Sequence, residues 1–297
     1  MNAFEHKTWP QRFYLRLQGI SNIDILNAGV PESGSTQTEL LLDIEQSLSR
    51  FRAAALDNSR LQVNYRELVD GPVFAAFRQS IVRLANVDLN SLVSDDERRA
   101  FWINLYNALI VHIVAAYRVQ KSIRRLRGAF DRAVYRVGEH LFSPNDIEHG
   151  ILRANRGHPL IPGPQFSSND PRRLFVIRDF DPRIHFALNC AARSCPSIRW
   201  YTSEQLNRQL DLAAANFVNH GGLVIAELAK TIYISRIFMW YASDFGAPHF
   251  GLGDRSALIR SIIQHVQPES RKQWLVDNFS SLRVQFSKYD WSLNETH

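Results

Sequence analysis

His185, Cys190 and Cys195 stand within eleven residues, in HFALNCAARSC, and the two cysteines are the only thiols in the chain. A thiol acts as a nucleophile in its thiolate form, which requires a neighbouring imidazole, cation or helix N-terminus and a further group to orient the base. Groups of that kind occur in two other segments: Glu148 beside His149 in SPNDIEHGILR, and Asn104 with Asn107 in FWINLYNALIVH. On this reading Cys190 is the nucleophile, His149 or His185 the base, and Glu148 or Asn107 its orienter. Backbone amides near Asn189 would receive the oxyanion, and Asn104 and Asn189 would contact substrate. The reaction would be hydrolysis of, or acyl transfer from, an amide or thioester.

The same residues carry two plainer readings. Cysteine is among the most buried residue types, and a cysteine in mid-helix lacks the N-terminal dipole that activates many thiols. Buried asparagines on an apolar helix can serve as amide clamps for neighbouring backbone. The alternative to an enzyme is therefore a non-catalytic protein–protein interaction module with a polar, hydrogen-bonded core. Zinc is disfavoured, because Cys-x4-Cys with one upstream histidine has no second short ligand pair. No metal site is expected.

The elements that would position these groups follow from periodicity. Leu40, Ile44, Leu48 and Phe51 line one face of a helix over 37–54, and a second helix covers 73–84. Ser94 followed by Asp95, Asp96 and Glu97 caps a long central helix through Tyr117, in which His112 reads as a core histidine. AVYRVGEHLFS gives two strands turning at Gly138-Glu139, and Ser143-Pro144-Asn145-Asp146 caps the helix bearing Glu148 and His149. The spacing predicts a short strand over 174–177 and a helix from Asp181 through Ala192 that carries His185, Asn189 and Cys190. Beyond it come a helix to Val218, a strand pair in GLVIAEL and TIYISR, short helices, and a last strand, LRVQF. The fold class is α+β: a mainly helical single domain with a small antiparallel sheet, with a papain-like or transglutaminase-like core as the form a thiol site would take. Residues 1–84 read as an N-terminal helical extension and 85–297 as the core domain.

Composition narrows the partners. The chain has a net charge of +6, and only five of its 35 cations are lysine. The segment 121–136, KSIRRLRGAFDRAVYR, sets six cations against Asp131 alone. With no aromatic platform or known nucleic-acid motif beside it, this reads as a solvated face, and no nucleic acid is expected. The N-terminal sequence lacks the continuous apolar core of an export signal. The most lipid-like run, Ala108–Tyr117, has about half of the roughly 20 residues a span requires, so no membrane span is expected. Two cysteines are too few for a disulfide scaffold and suit a reducing, cytoplasmic setting. No phosphate-cradling glycine loop appears, so no nucleotide cofactor is expected. A peptide-like substrate or a protein partner fits either functional reading, and neither is identified further.

Four segments in order, FWINLYNALIVH, SPNDIEHGILR, DPRIHFALNCAARSCPSIRWYT and the terminal YDWSLN, resemble the domain of unknown function 547 family over about 85–294. In that family glycine is common where this chain has Ala191. Plant relatives carry a leucine zipper in front, whereas the Leu40–Phe51 stripe spans only about two heptads. The resemblance implies no established activity. Its plant members look like partners in regulatory complexes, which favours a binding role, while the polar residues of its motifs suit a buried thiol site.

Overall fold

The structure is a computed structural model describing residues 7–32, 34–56 and 62–295. Residues 1–6, part of the segment read for an export signal, lie outside it. The chain is α+β and mainly helical, and it divides into two compact units, Met1–Asp181 with Leu188–Leu206 and Trp291–His297, and Pro182–Ala187 with Asn207–Asp290.

The first unit is built around one buried helix. Its helices are α1 (Trp9–Leu17), α2 (Gln37–Ala55), α3 (Tyr65–Asp70), α4 (Pro72–Ile81), α5 (Asp95–Ala116) and the short α6 (Ala129–Arg132). Ser94 and Glu97 form the reciprocal cap that starts α5, with three acids in its first turn. Every residue from Arg99 to Ala115 is buried, as expected of a helix enclosed on all sides. Among the described residues α5 alone is long and apolar enough to cross a membrane, and 94 % of its apolar window is covered by the protein itself. Leu40, Ile44, Leu48 and Phe51 of α2 are buried, and α2 and α3 pack on α5, so these helices share a unit with the central helix. His112 of α5 lies with its Nδ1 2.8 Å from the Tyr135 hydroxyl and the rings of Phe74 and Phe77 edge-on to it.

Strands β1 (Asp24–Ile25), β2 (Ala133–Val137) and β3 (His140–Phe142) form a sheet in that order, β1 parallel and β3 antiparallel to β2. The β2–β3 turn uses Gly138 at φ 57. In the second unit α7 (Leu206–Phe217) leads to a sheet of β4 (Leu223–Ala226), β5 (Thr231–Ile234) and β6 (Arg283–Phe286). Between the last two strands run α8 (Arg236–Trp240), α9 (Ser256–Ile263) and α10 (Glu269–Asp277). Here β4 is antiparallel and β6 parallel to β5. The small antiparallel sheet expected from sequence is thus two mixed three-stranded sheets. Each gains its parallel edge from a strand remote in sequence, β1 or β6, which short-range turn signals do not reveal.

Two local readings are also corrected. Residues 174–177 form no strand: Asp170 caps a tight 3-10 turn, Pro171–Phe175, and the Arg172 side chain is drawn inward to buried acids. The helix expected from Asp181 to Ala192 stops after one 3-10 turn, Pro182–Phe186.

Candidate functional site

The cysteine segment leaves helical geometry because side chains take its backbone hydrogen bonds. Asn189 accepts the Ala191 N–H on its own Oδ1 (2.7 Å) and donates through Nδ2 to the Pro196 carbonyl (2.6 Å). Such local bonds by asparagine compete with the helical pattern. Ala191 then adopts φ 63, in the left-handed region, and the chain turns back so that Cys190 and Cys195 are disulfide-bonded with Cα atoms 6.2 Å apart. The sequence reading put Cys190 on a helix ending at Ala192 and left Cys195 beyond it; the turn at Ala191 pairs them. Both cysteines are only partly buried.

Left-handed geometry is costly for a residue with a Cβ and free of that cost for glycine. Ala191→Gly is therefore expected to raise the unfolding free energy by about 1 kcal/mol. Urea titration of the oxidised protein checks this, and an unchanged midpoint would mean that the turn carries no strain.

Successive residues of α5 hold this loop and its neighbours. Asn107 Oδ1 accepts the Asn189 N–H at 2.9 Å. One residue earlier, the Tyr106 hydroxyl donates to Glu148 Oε2 at 3.0 Å. Asn104 clamps Tyr201, donating to its carbonyl (2.7 Å) and accepting its N–H (3.1 Å). From the other side Ser292–Asn294 pairs with the loop, the Arg193 N–H donating to Ser292 O (2.8 Å) and the Asn294 N–H to Ala191 O (3.0 Å). The terminal YDWSLN motif therefore braces the cysteine turn.

Glu148 and His149 sit on a π-helical turn, Asp146–Leu152, started by reciprocal bonds between Ser143 and Asp146. Its Gly150 is required by close packing, because an added Cβ would lie 2.3 Å from the Phe166 ring. His149 Nδ1 is 3.1 Å from Arg153 Nη1 and 3.9 Å from Glu148 Oε1. A guanidinium only donates, so Nδ1 accepts and the neutral ring carries its proton on Nε2.

Residues 90–218 match a family model described as "Protein of unknown function, DUF547". This segment belongs to that family. It contains the asparagine, Glu-His and cysteine motifs and ends before YDWSLN. No curated protein and no solved structure matches the chain significantly.

Within the DUF547 segment the candidate residues fall in both compact units. Asn104, Asn107, Glu148, His149, Asn189 and Cys190 belong to the first, and His185 to the second. There His185 Nε2 is 2.8 Å from Asp244 Oδ2, and the ring stacks on Tyr241 at 3.9 Å between centroids. The contact fixes the orientation of the ring, with Nε2 facing the carboxylate. Of the residues expected to orient a base, Glu148 accepts from the Tyr106 hydroxyl and Asn107 from the Asn189 N–H. The sequence reading missed Asp244, Tyr106 and Arg153. Only Arg153 left a signal, its four-residue helical spacing from His149. Of the backbone amides near Asn189, those of Asn189 and Ala191 are engaged by asparagine side chains, and the Cys190 N–H points at Cys195 Sγ (3.1 Å). No group of three or more His, Cys, Asp or Glu suited to a metal occurs among the described residues.

Proposed function

We propose that the chain is a cysteine-dependent hydrolase or acyl transferase acting on an amide or thioester, with Cys190 as its nucleophile once the bond to Cys195 is reduced. The observation that carries this reading is the setting of Cys190: a partly buried cysteine next to a left-handed alanine, on a turn fixed by Asn107 and Asn189. Backbone held in a rarely populated conformation clusters at active sites, where it aims a reacting group. The Cys190 thiolate would attack the carbonyl carbon, forming an S–C bond and expelling an amine or thiol that takes up a proton. Water or an acceptor amine would then release the acyl group and restore the thiol. Reduction would turn the Cys190 N–H from sulfur to the developing oxyanion. Deprotonation of the thiol would fall to a neighbouring imidazole, as a cysteine nucleophile requires. A papain-like or transglutaminase-like core, with residues 1–84 as an extension in front of it, is consistent with this chemistry.

The test is turnover of an activated thioester after reduction by a phosphine. Reduced wild type is expected to exceed Cys190→Ser by at least about a hundredfold. Cys195→Ser is expected to be active without reductant. Equal rates for Cys190→Ser and wild type would sink the proposal.

A second reading, the interaction module, is favoured by one specific observation: the motif asparagines, Glu148 and both sulfurs are engaged in internal bonds. It predicts no turnover in either redox state.

A further inference from the structure

Helix α1 has one face fixed and one face bare. Inward, Leu15 is buried and Gln11 Nε2 donates to the carbonyls of Gln165 (2.9 Å) and Pro164 (3.2 Å), while Tyr14 stacks on His158. These contacts pin the helix to the loop 155–172. Outward, Trp9, Phe13 and Leu17 follow one another at four-residue spacing and are 75 %, 51 % and 67 % exposed, with the first two rings stacked. Leu160, on the loop that carries His158, is exposed as well. An aromatic and aliphatic line on a well-anchored helix marks an interaction surface.

Charge indicates what covers it. Arg12 and Arg16 are exposed on the same helix. Where α1 ends, the arginine-rich segment meets it: a Cβ at Gly19 would lie 3.8 Å from Arg127 Nη1, and Gly128 packs directly against Ile20. Arg124, Arg125 and Arg127 of that segment are exposed. The nearby acids are engaged: Asp131 accepts from Asn145, and Asp24 pairs with Arg132. The apolar stripe thus ends beside Arg127, with Arg125 and Arg124, the latter over the Trp291 ring, exposed on the same segment. Nucleic acid would be met by cations with stacking rings, and Leu17 and Leu160 contribute to neither. Trp, Phe and Leu on one face with arginines beside them are the pattern of a helix lying in a lipid interface.

We propose that this face docks on an anionic membrane surface, with Trp9, Phe13 and Leu17 entering the headgroup boundary and Arg12, Arg16, Arg124, Arg125 and Arg127 facing the lipid charges. The proposal is independent of the thiol chemistry above. It is tested by co-sedimentation of the whole chain with vesicles of phosphatidylcholine containing one-third phosphatidylserine, and with phosphatidylcholine alone. Wild type is expected to sediment with the anionic vesicles and to dissociate as salt is raised. Trp9→Ser/Phe13→Ser/Leu17→Ser is expected to lower partitioning at least about tenfold, and Arg124→Gln/Arg125→Gln/Arg127→Gln by a similar factor. These side chains are exposed, so both variants should keep the wild-type circular dichroism spectrum. Absence of wild-type binding, equal binding to neutral vesicles, or unchanged binding by the triple-serine variant would each overturn the proposal. So would a dimer that the serine variant abolishes, if no vesicle binding accompanied it.

Discussion

Replacing Asp146 with alanine is expected to lower the unfolding free energy by about 3–5 kcal/mol. Asp146 is buried, and its carboxylate accepts from Lys7 Nζ, Gln165 Nε2 (2.9 Å), Ser143 Oγ (2.9 Å) and Arg172 Nη1 (3.0 Å). Arg172 is itself buried, held in a fork by Asp170 and donating to the Leu141 carbonyl at 2.7 Å. Lys7 and Arg172 thus both face Asp146 in a buried region, with Asp170 also on Arg172 and Asp131 within the influence of Lys7. Burial pushes the Asp146 carboxyl up, but the charges of Arg172 and Lys7 outweigh it and hold the group well below the usual carboxylate range. Removing Asp146 takes from the buried Lys7 its salt-bridge partner and leaves Arg172 with Asp170 alone. The start of the π-helical turn that carries Glu148 and His149 also loses its cap. Urea unfolding measures the loss, and a cost below about 1 kcal/mol would show that water solvates the network.

Lowering the pH from 7 to 5 is expected to remove a further about 2–3 kcal/mol, a net figure for three groups. Burial, followed by the charge of Arg78, moves the His112 imidazole from 6.5 down to about 3. Burial and then Arg153 move His158 down to about 4. In the unfolded chain both rings take up protons below about 6.5, whereas in the folded protein they stay neutral until far lower pH. Their stabilising contribution is therefore complete above 6.5 and declines as the pH falls toward the folded values. At pH 5 each has lost about 2 kcal/mol. Asp131 acts in the opposite sense, because burial raises its carboxyl to about 6 against the opposing influence of Lys7 and Asn145. The folded protein binds that proton first as the pH drops, which returns about 1 kcal/mol by pH 5. His112→Leu should reduce the pH 7-to-5 loss by about 2 kcal/mol, even if it lowers stability at both values by leaving the Tyr135 hydroxyl without its partner. An unchanged slope in that variant would contradict the assignment of His112.

What could be read in the sequence depended on whether a segment's geometry is set by its own residues. The cap of α5, the buried stripe of α2 and the β2–β3 turn at Gly138 rest on local side chains and periodicity, and the structure reproduces them closely. The cysteine segment has equally regular apolar spacing, with Ile184, Ala187, Leu188 and Ala191 at helical intervals. It fails as a helix because Asn189 bonds the backbone at Ala191 and Pro196, while Asn107, from 82 residues away, takes the Asn189 N–H. The disulfide follows from that turn. Likewise, His185 and Asp244 are 59 residues apart, and Tyr106 and Glu148 are 42 apart. Neither separation carries a periodic signal, so the candidate residues were legible but their partners were not.

The central claim, that Cys190 is the nucleophile, is tested most directly by trapping. Native protein, reduced and exposed briefly to an activated ester, would be digested and its acyl adduct located by mass spectrometry. A single adduct on Cys190 is expected, retained in Cys195→Ser and lost when the protein is unfolded before exposure. Equal acylation of Cys190 and Cys195, or the same labelling in the unfolded chain, would contradict it.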